Sequence, residues 1–190
     1  MRNKIVSVLG IFLLIACGGS GSKVTEKTGL SEKELIAGFE WVREEFNKIF
    51  ENPKDYDQAG LKPLNDSLVY YVDALIADFP KSAELPEVLC NAGISSLNVK
   101  NSKKALEYLN YVVDSFPTHS IVPKSMYFIG RTKEVVLEDI EGAKEAYKKL
   151  ARQYGTSVWG MNARTSVQLI MNPASIEQSV LGDDQDSSKE

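Results

Sequence analysis

An all-α chain of stacked helical hairpins is the fold class this sequence predicts, on three observations. Apolar residues recur at helical spacing through most of the chain. Short polar breaks separate those stretches. A set of Phe, Pro, Gly and Ala landmarks returns after 37 and then 38 residues, a period that marks repeating supersecondary units.

The first element is a leader. Arg2 and Lys4 precede an apolar run from Ile5 to Ala16. That run is too short for a bilayer core, which needs roughly 20 helical residues. A charged start, a short apolar stretch and a small residue before the cut describe a secretory signal over residues 1–16. The cut falls at Cys17. Leu14-Ile15-Ala16-Cys17, followed by Gly18-Gly19-Ser20, resembles the lipobox of bacterial lipoproteins. That resemblance implies cleavage before Cys17 and lipidation of Cys17 itself. A secretory signal with a coincidental cysteine is the alternative.

Residues 17–30 read as a lipidated Cys and a flexible Gly/Ser/Thr/Lys tether. Ser31-Glu32-Lys33-Glu34 is a capping box. Behind it Leu35, Phe39, Val42, Phe46, Ile49 and Phe50 predict a helix over about 32–51, ended by Asn52-Pro53. Lys54–Gly60 is expected to be a polar loop, so residues 31–60 form an N-terminal helix and loop. Pro63 and Asn65-Asp66 are expected to open a second helix with Leu68, Val69, Val72, Leu75, Ile76 and Phe79 on its apolar stripe. Asn65-Asp66-Ser67 also matches a glycosylation sequon, but the bacterial leader favours the helix-start reading.

Residues 61–172 are expected to form the solenoid. Phe79-Pro80 recurs as Phe116-Pro117 and, degenerately, as Tyr154-Gly155. Pro86 and Pro123 follow the two Phe residues, Gly93 and Gly130 follow those prolines, and Ala105 and Ala143 precede the next aromatic. Proline suits the first turn of a helix, where its missing N–H costs nothing. Glycine inside a helix sacrifices about 1 kcal/mol of propensity, so close approach of a neighbouring helix is the expected reason for it. Ala105 and Ala143 are expected to supply the matching small surface. Breaks at Asn98–Ser102 and Glu138–Gly142 divide each unit into two helices.

These residues resemble tetratricopeptide repeats. Leu89, Ala92-Gly93, Ala105, Leu109, Val112 and Pro117 stand where that family keeps its packing residues. Met126, Ile129-Gly130, Ala143, Tyr147 and Leu150 do so in the second unit. The resemblance covers about residues 60–171 and implies a short right-handed α-solenoid. Cys or Met where aromatics are common, and one residue inserted at the second hairpin turn, depart from the pattern. The longer units starting with Pro look like those of periplasmic lipoproteins in outer-membrane assembly. A helix over about Ser157–Met171 is expected to cap the stack with a polar outer face. In the last stretch, 173–190, Ser175–Leu181 is expected to form a turn or two of helix and Gly182–Glu190 an acidic disordered tail.

The chain carries 22 basic and 26 acidic residues, a net charge of −4; losing residues 1–16 removes Arg2 and Lys4 and makes it about −6. An acidic surface argues against nucleic acid, which needs a basic footprint. With Cys17 lipidated, Cys90 stands alone in an apolar helical pattern and reads as a buried, inert thiol. Catalytic constellations are missing. His119 lies in an inter-repeat turn with no second His or Cys nearby in sequence, and no glycine-rich phosphate loop occurs. Glu44-Glu45 reads as solvated surface. Tyr70-Tyr71, Tyr108 and Tyr111 read as inter-helix packing rather than a stacking platform for sugars. No metal or cofactor is expected.

By the same resemblance, first helices line a concave groove. Its facing positions would be Glu87, Ile94 and Asn98, then Lys124, Tyr127, Arg131 and Glu134, then Asn162. Two cations and a tyrosine on one helix suit a peptide carboxylate or an acidic segment. The expected role is a lipid-anchored, protein-interacting scaffold at the periplasmic face of the outer membrane, serving outer-membrane protein assembly or envelope maintenance. Gly18, rather than Asp, after Cys17 resembles the outer-membrane sorting pattern. A lipoprotein binding glycans or small ligands is the alternative.

Overall fold

The structure, a computed structural model, describes residues 27–51 and 58–172. Seven helices account for nearly all of them: α1 (Glu32–Glu51), α2 (Gln58–Asp78), α3 (Leu85–Asn98), α4 (Ser102–Ser115), α5 (Val122–Val135), α6 (Ile140–Gln153) and α7 (Val158–Met171). No strand occurs among the described residues. The helices pack in sequence order, each against the next, consistent with a helical-repeat solenoid. The leader, Cys17, Ser175–Leu181 and the acidic tail lie outside the described residues.

The backbones of the odd-numbered helices also approach one another, α1 with α3, α3 with α5 and α5 with α7, more closely than those of even-numbered neighbours. In a curved stack the more closely spaced layer lies on the inner side, which assigns the inner face to the first helix of each hairpin. One continuous core runs between the layers. It joins Phe39 and Phe46 of α1, Val72 and Leu75 of α2, Leu89 of α3, Leu109 and Val112 of α4, Met126 of α5 and Leu150 of α6.

Local sequence sets each boundary. At α1 the Ser31 N–H donates to Glu34 Oε2 at 2.8 Å, and the Glu34 N–H returns a bond to Ser31 Oγ at 3.3 Å. Leu30, just before the cap, packs against the core in the manner of a hydrophobic staple. Asn101, Asp139 and Ser157 cap α4, α6 and α7 by accepting the N–H of Lys104, Gly142 and Gly160. Pro86 and Pro123 occupy the opening turns of α3 and α5, where no intrahelical N–H bond is lost.

Five expectations change. Residues 28–30 do not behave as tether, because the N–H and Oγ1 of Thr28 both donate to Asp78 Oδ2, at 3.1 and 2.9 Å. Pro63 does not open α2 but lies inside it, and residues 58–60, read as loop, are helical. Pro63 faces solvent near the helix start, so the carbonyl its ring leaves unpaired can be hydrated. The Asn65-Asp66-Ser67 triplet is therefore within α2. The second hairpin break lies earlier than Glu138–Gly142: α5 ends at Val135, and the Asp139 side chain starts α6 at Ile140. Finally, the exposed surface of α7 is mixed rather than polar, with apolar side chains beside Asn162, Arg164, Thr165 and Gln168. Val158, Met161, Leu169 and Met171 are 56%, 48%, 41% and 69% exposed, because no described helix follows to cover them.

Candidate functional site: the inner face of the odd helices

Close packing inside each hairpin fixes how this face is presented. A Cβ added at Gly93 would lie 2.5 Å from Leu109 Cγ, and one at Gly130 would enter the Tyr147 ring. The small surface expected from Ala105 and Ala143 is thus a large side chain one turn further on, Leu109 or Tyr147. Both alanines are fully buried, and Ala105 contributes its carbonyl oxygen, 3.3 Å from the same Cβ. Gly38 on α1 meets the Tyr71 ring in the same way. Tyr71, Leu109 and Tyr147 are spaced 38 residues apart, so the device extends one hairpin upstream of residue 61.

On α5 the candidate residues form a connected set. Buried Tyr147 donates its hydroxyl to Glu134 Oε2 at 2.7 Å, and Arg131 Nη1 reaches the same oxygen at 3.4 Å. Tyr127 is half-buried, its ring centroid 5.5 Å from Tyr147 and 5.4 Å from Trp159. Phe128 joins this cluster from the next position, 5.8 Å from Trp159. Lys124 stands apart and donates to Asn91 Oδ1 of α3 at 3.4 Å. Glu134 is therefore a structural acceptor as much as a surface charge. Arg131 keeps much of its guanidinium in solvent, with side-chain exposure of 40%.

Elsewhere the set disperses. Glu87 is exposed and Ile94 half-buried on α3, and Asn162 is exposed on α7. Asn98 lies at the α3–α4 turn, lining a recess of about 390 Å³ with Leu61, Asn65 and Asn101. The sequence reading missed Asn91, whose role depends on a contact across 33 residues, and Trp159, whose ring meets α5 only through tertiary packing.

The other chemistry-bearing residues have structural partners. Nδ1 of His119 accepts the Ile121 N–H at 3.3 Å inside its turn. Cys90 is buried, and that burial pushes its thiol pKa up. Tyr108 is fully buried and donates to Asp73 Oδ1 at 2.8 Å; Lys104 bonds both oxygens of Asp73, at 3.0 and 2.8 Å, and lies 5.0 Å from the Tyr108 ring centroid. This clamp joins α4 to α2. Tyr111 packs on Phe116, while Tyr70 is half exposed with its ring edge toward Tyr71. Among the described residues no group of three or more His, Cys, Asp or Glu could hold a metal ion. No described helix is long and apolar enough to cross a membrane. Neither a protein-family model nor a curated protein matches the sequence.

Proposed function

We propose that this chain is a bacterial lipoprotein whose tetratricopeptide-like hairpins form a protein-interaction module, tethered at the periplasmic face of the outer membrane through Cys17. The observation that carries the reading is the inner face of α5, where Lys124, Tyr127 and Arg131 follow one another on a single rigid surface. Tyr127 offers apolar area already held by Tyr147 and Trp159. The cations to either side suit an acidic peptide segment of an envelope protein. Preorganised side chains favour binding because less rotamer freedom is lost on contact. Anchoring in a thin layer raises the module's effective concentration for neighbouring assembly or maintenance complexes. The recesses on the surface are open rather than enclosed, which favours an extended segment over a glycan or small ligand.

Two experiments test the parts separately. Cys17→Ser should block processing and abolish palmitate incorporation; unchanged incorporation would overturn the lipid anchor. Lys124→Glu with Arg131→Glu should abolish capture of partners from gently solubilised membranes, since like charges then face the acidic segment. Both side chains are partly exposed, so stability should change by no more than about 1 kcal/mol. Lys81→Glu with Lys103→Glu, at exposed positions off this face, is the matched control. Identical partners captured by both variants would remove the inner face from consideration.

A further inference from the structure

Every odd helix before α7 is covered by the even helix that follows it: α1 by α2, α3 by α4 and α5 by α6. No described helix does this for α7. Where its partner would lie, an open groove of about 370 Å³ runs between α6 and α7, lined by Lys148, Ala151, Arg152, Arg164, Val167 and Gln168. Its floor is apolar and three cations rim it. Arg152 makes no ion pair among the described residues, Lys148 pairs with exposed Glu145 at 3.0 Å, and Arg164 donates to the Gly155 carbonyl at 2.6 Å. In a chain of net charge −4, this strip gathers three cations around one nearby carboxylate, that of Glu145.

The chain carries the complement immediately downstream. α7 ends at Met171, beside this groove, and Pro173 follows, which cannot continue the helix. Ser175-Ile176-Glu177-Gln178 has the form of a capping box. Ile176, Val180 and Leu181 then fall on one side of a helical turn, and Asp183, Asp184 and Asp186 come next. The dimensions agree. A helix from residue 176 running back along α7 would advance about 12 Å by residue 184, and Arg164 lies about 10 Å up α7 from its end. We propose that residues 173–186 dock into this groove, with the apolar residues over Ala151 and Val167 and the aspartates against Arg152, Arg164 and Lys148. α7 has no glycine in its second half, where Gly93 in α3 and Gly130 in α5 let the following helix approach closely. The segment therefore covers α7 as a charge-held strap rather than as another tightly packed helix.

The test uses the full-length chain in detergent, labelled with nitrogen-15 and carrying a nitroxide at Ser187→Cys. Docking predicts at least several-fold broadening of the Val167 and Gln168 amide signals. That broadening should vanish when Asp183, Asp184 and Asp186 are changed to Lys. It should return when Lys148→Glu and Arg152→Glu are added to that variant. A sample mixing spin-labelled chains without nitrogen-15 and isotope-labelled chains without nitroxide should show none. Broadening in the mixed sample would assign the groove to a second copy and overturn the proposal. So would its absence in the doubly labelled chain, or its persistence after charge reversal.

Discussion

Two buried phenols carry much of the residue-scale energetics. Tyr108 and Tyr147 are fully buried, and burial first, then the carboxylates of Asp73 and Glu134, push their pKa values far above the ordinary 10.0. The folded chain therefore keeps two protons that the unfolded chain releases above about pH 10. Stability contributed this way is fully present below that pH and falls as pH rises past it. Urea midpoints measured between pH 8 and 11 should drop steeply for the natural chain and less steeply for Tyr108→Phe with Tyr147→Phe. Parallel curves would show that the phenols ionise without unfolding the stack. The glycines make a second case. Gly130→Leu must displace the Tyr147 ring, at an overpacking cost of about 1–3 kcal/mol or more. Leucine at exposed Ala37 on α1 should change stability by less than about 0.5 kcal/mol. Equal melting temperatures for the two variants would contradict the close packing of α5 and α6.

At the scale of single helices, the caps decide where each unit begins. Asp139 is exposed, yet its Oδ1 accepts the Gly142 N–H at 2.9 Å and starts α6. Asp139→Ala should cost roughly 0.5–2 kcal/mol, read as a shift in thermal midpoint, with Asp139→Asn close to neutral. A loss from the Asn variant equal to that from Ala would mean that charge, not the cap bond, is what matters. α7 differs from the other helices. Its buried side is anchored by Gly160, where an added Cβ would enter the Tyr154 carbonyl, while Met161 and Leu169 lie in the open among polar neighbours.

For the molecule as a whole, each helix rests chiefly on its sequence neighbours, so stability is close to a sum of local and nearest-neighbour contributions. α2 to α6 have partners on both sides, with α3–α5 furthest from the ends, and α1 and α7 have a partner on one. Native-state hydrogen exchange should show the slowest amides in α3–α5 and the fastest in α1 and α7. Leu89→Ala, at a fully buried site on α3, should cost about 2–5 kcal/mol and speed exchange throughout the stack. Protection greatest in α7 would contradict nearest-neighbour stacking.

The seven helices of the described residues, the start of α1 and the hairpin register from Phe79 to Gly155 were legible in the amino-acid sequence. Apolar period, proline position and capping residues are local signals, each acting within a turn or two of helix. The start of α2 was not legible, because Pro63 is a helix opener by local rule and an exposed interior residue only in its tertiary setting. What the glycines pack against was equally hidden. The spacing called for a close neighbour, but whether that neighbour is Ala105 or Leu109, Ala143 or Tyr147, depends on how two helices settle against each other. The face of α5 was half legible. Lys124, Tyr127 and Arg131 could be placed on one side by helical geometry, whereas Glu134's bond to Tyr147 and Lys124's reach to Asn91 cross between helices. Local chemistry determined the elements; contacts between residues distant in the chain decided which side chains are left to meet a partner.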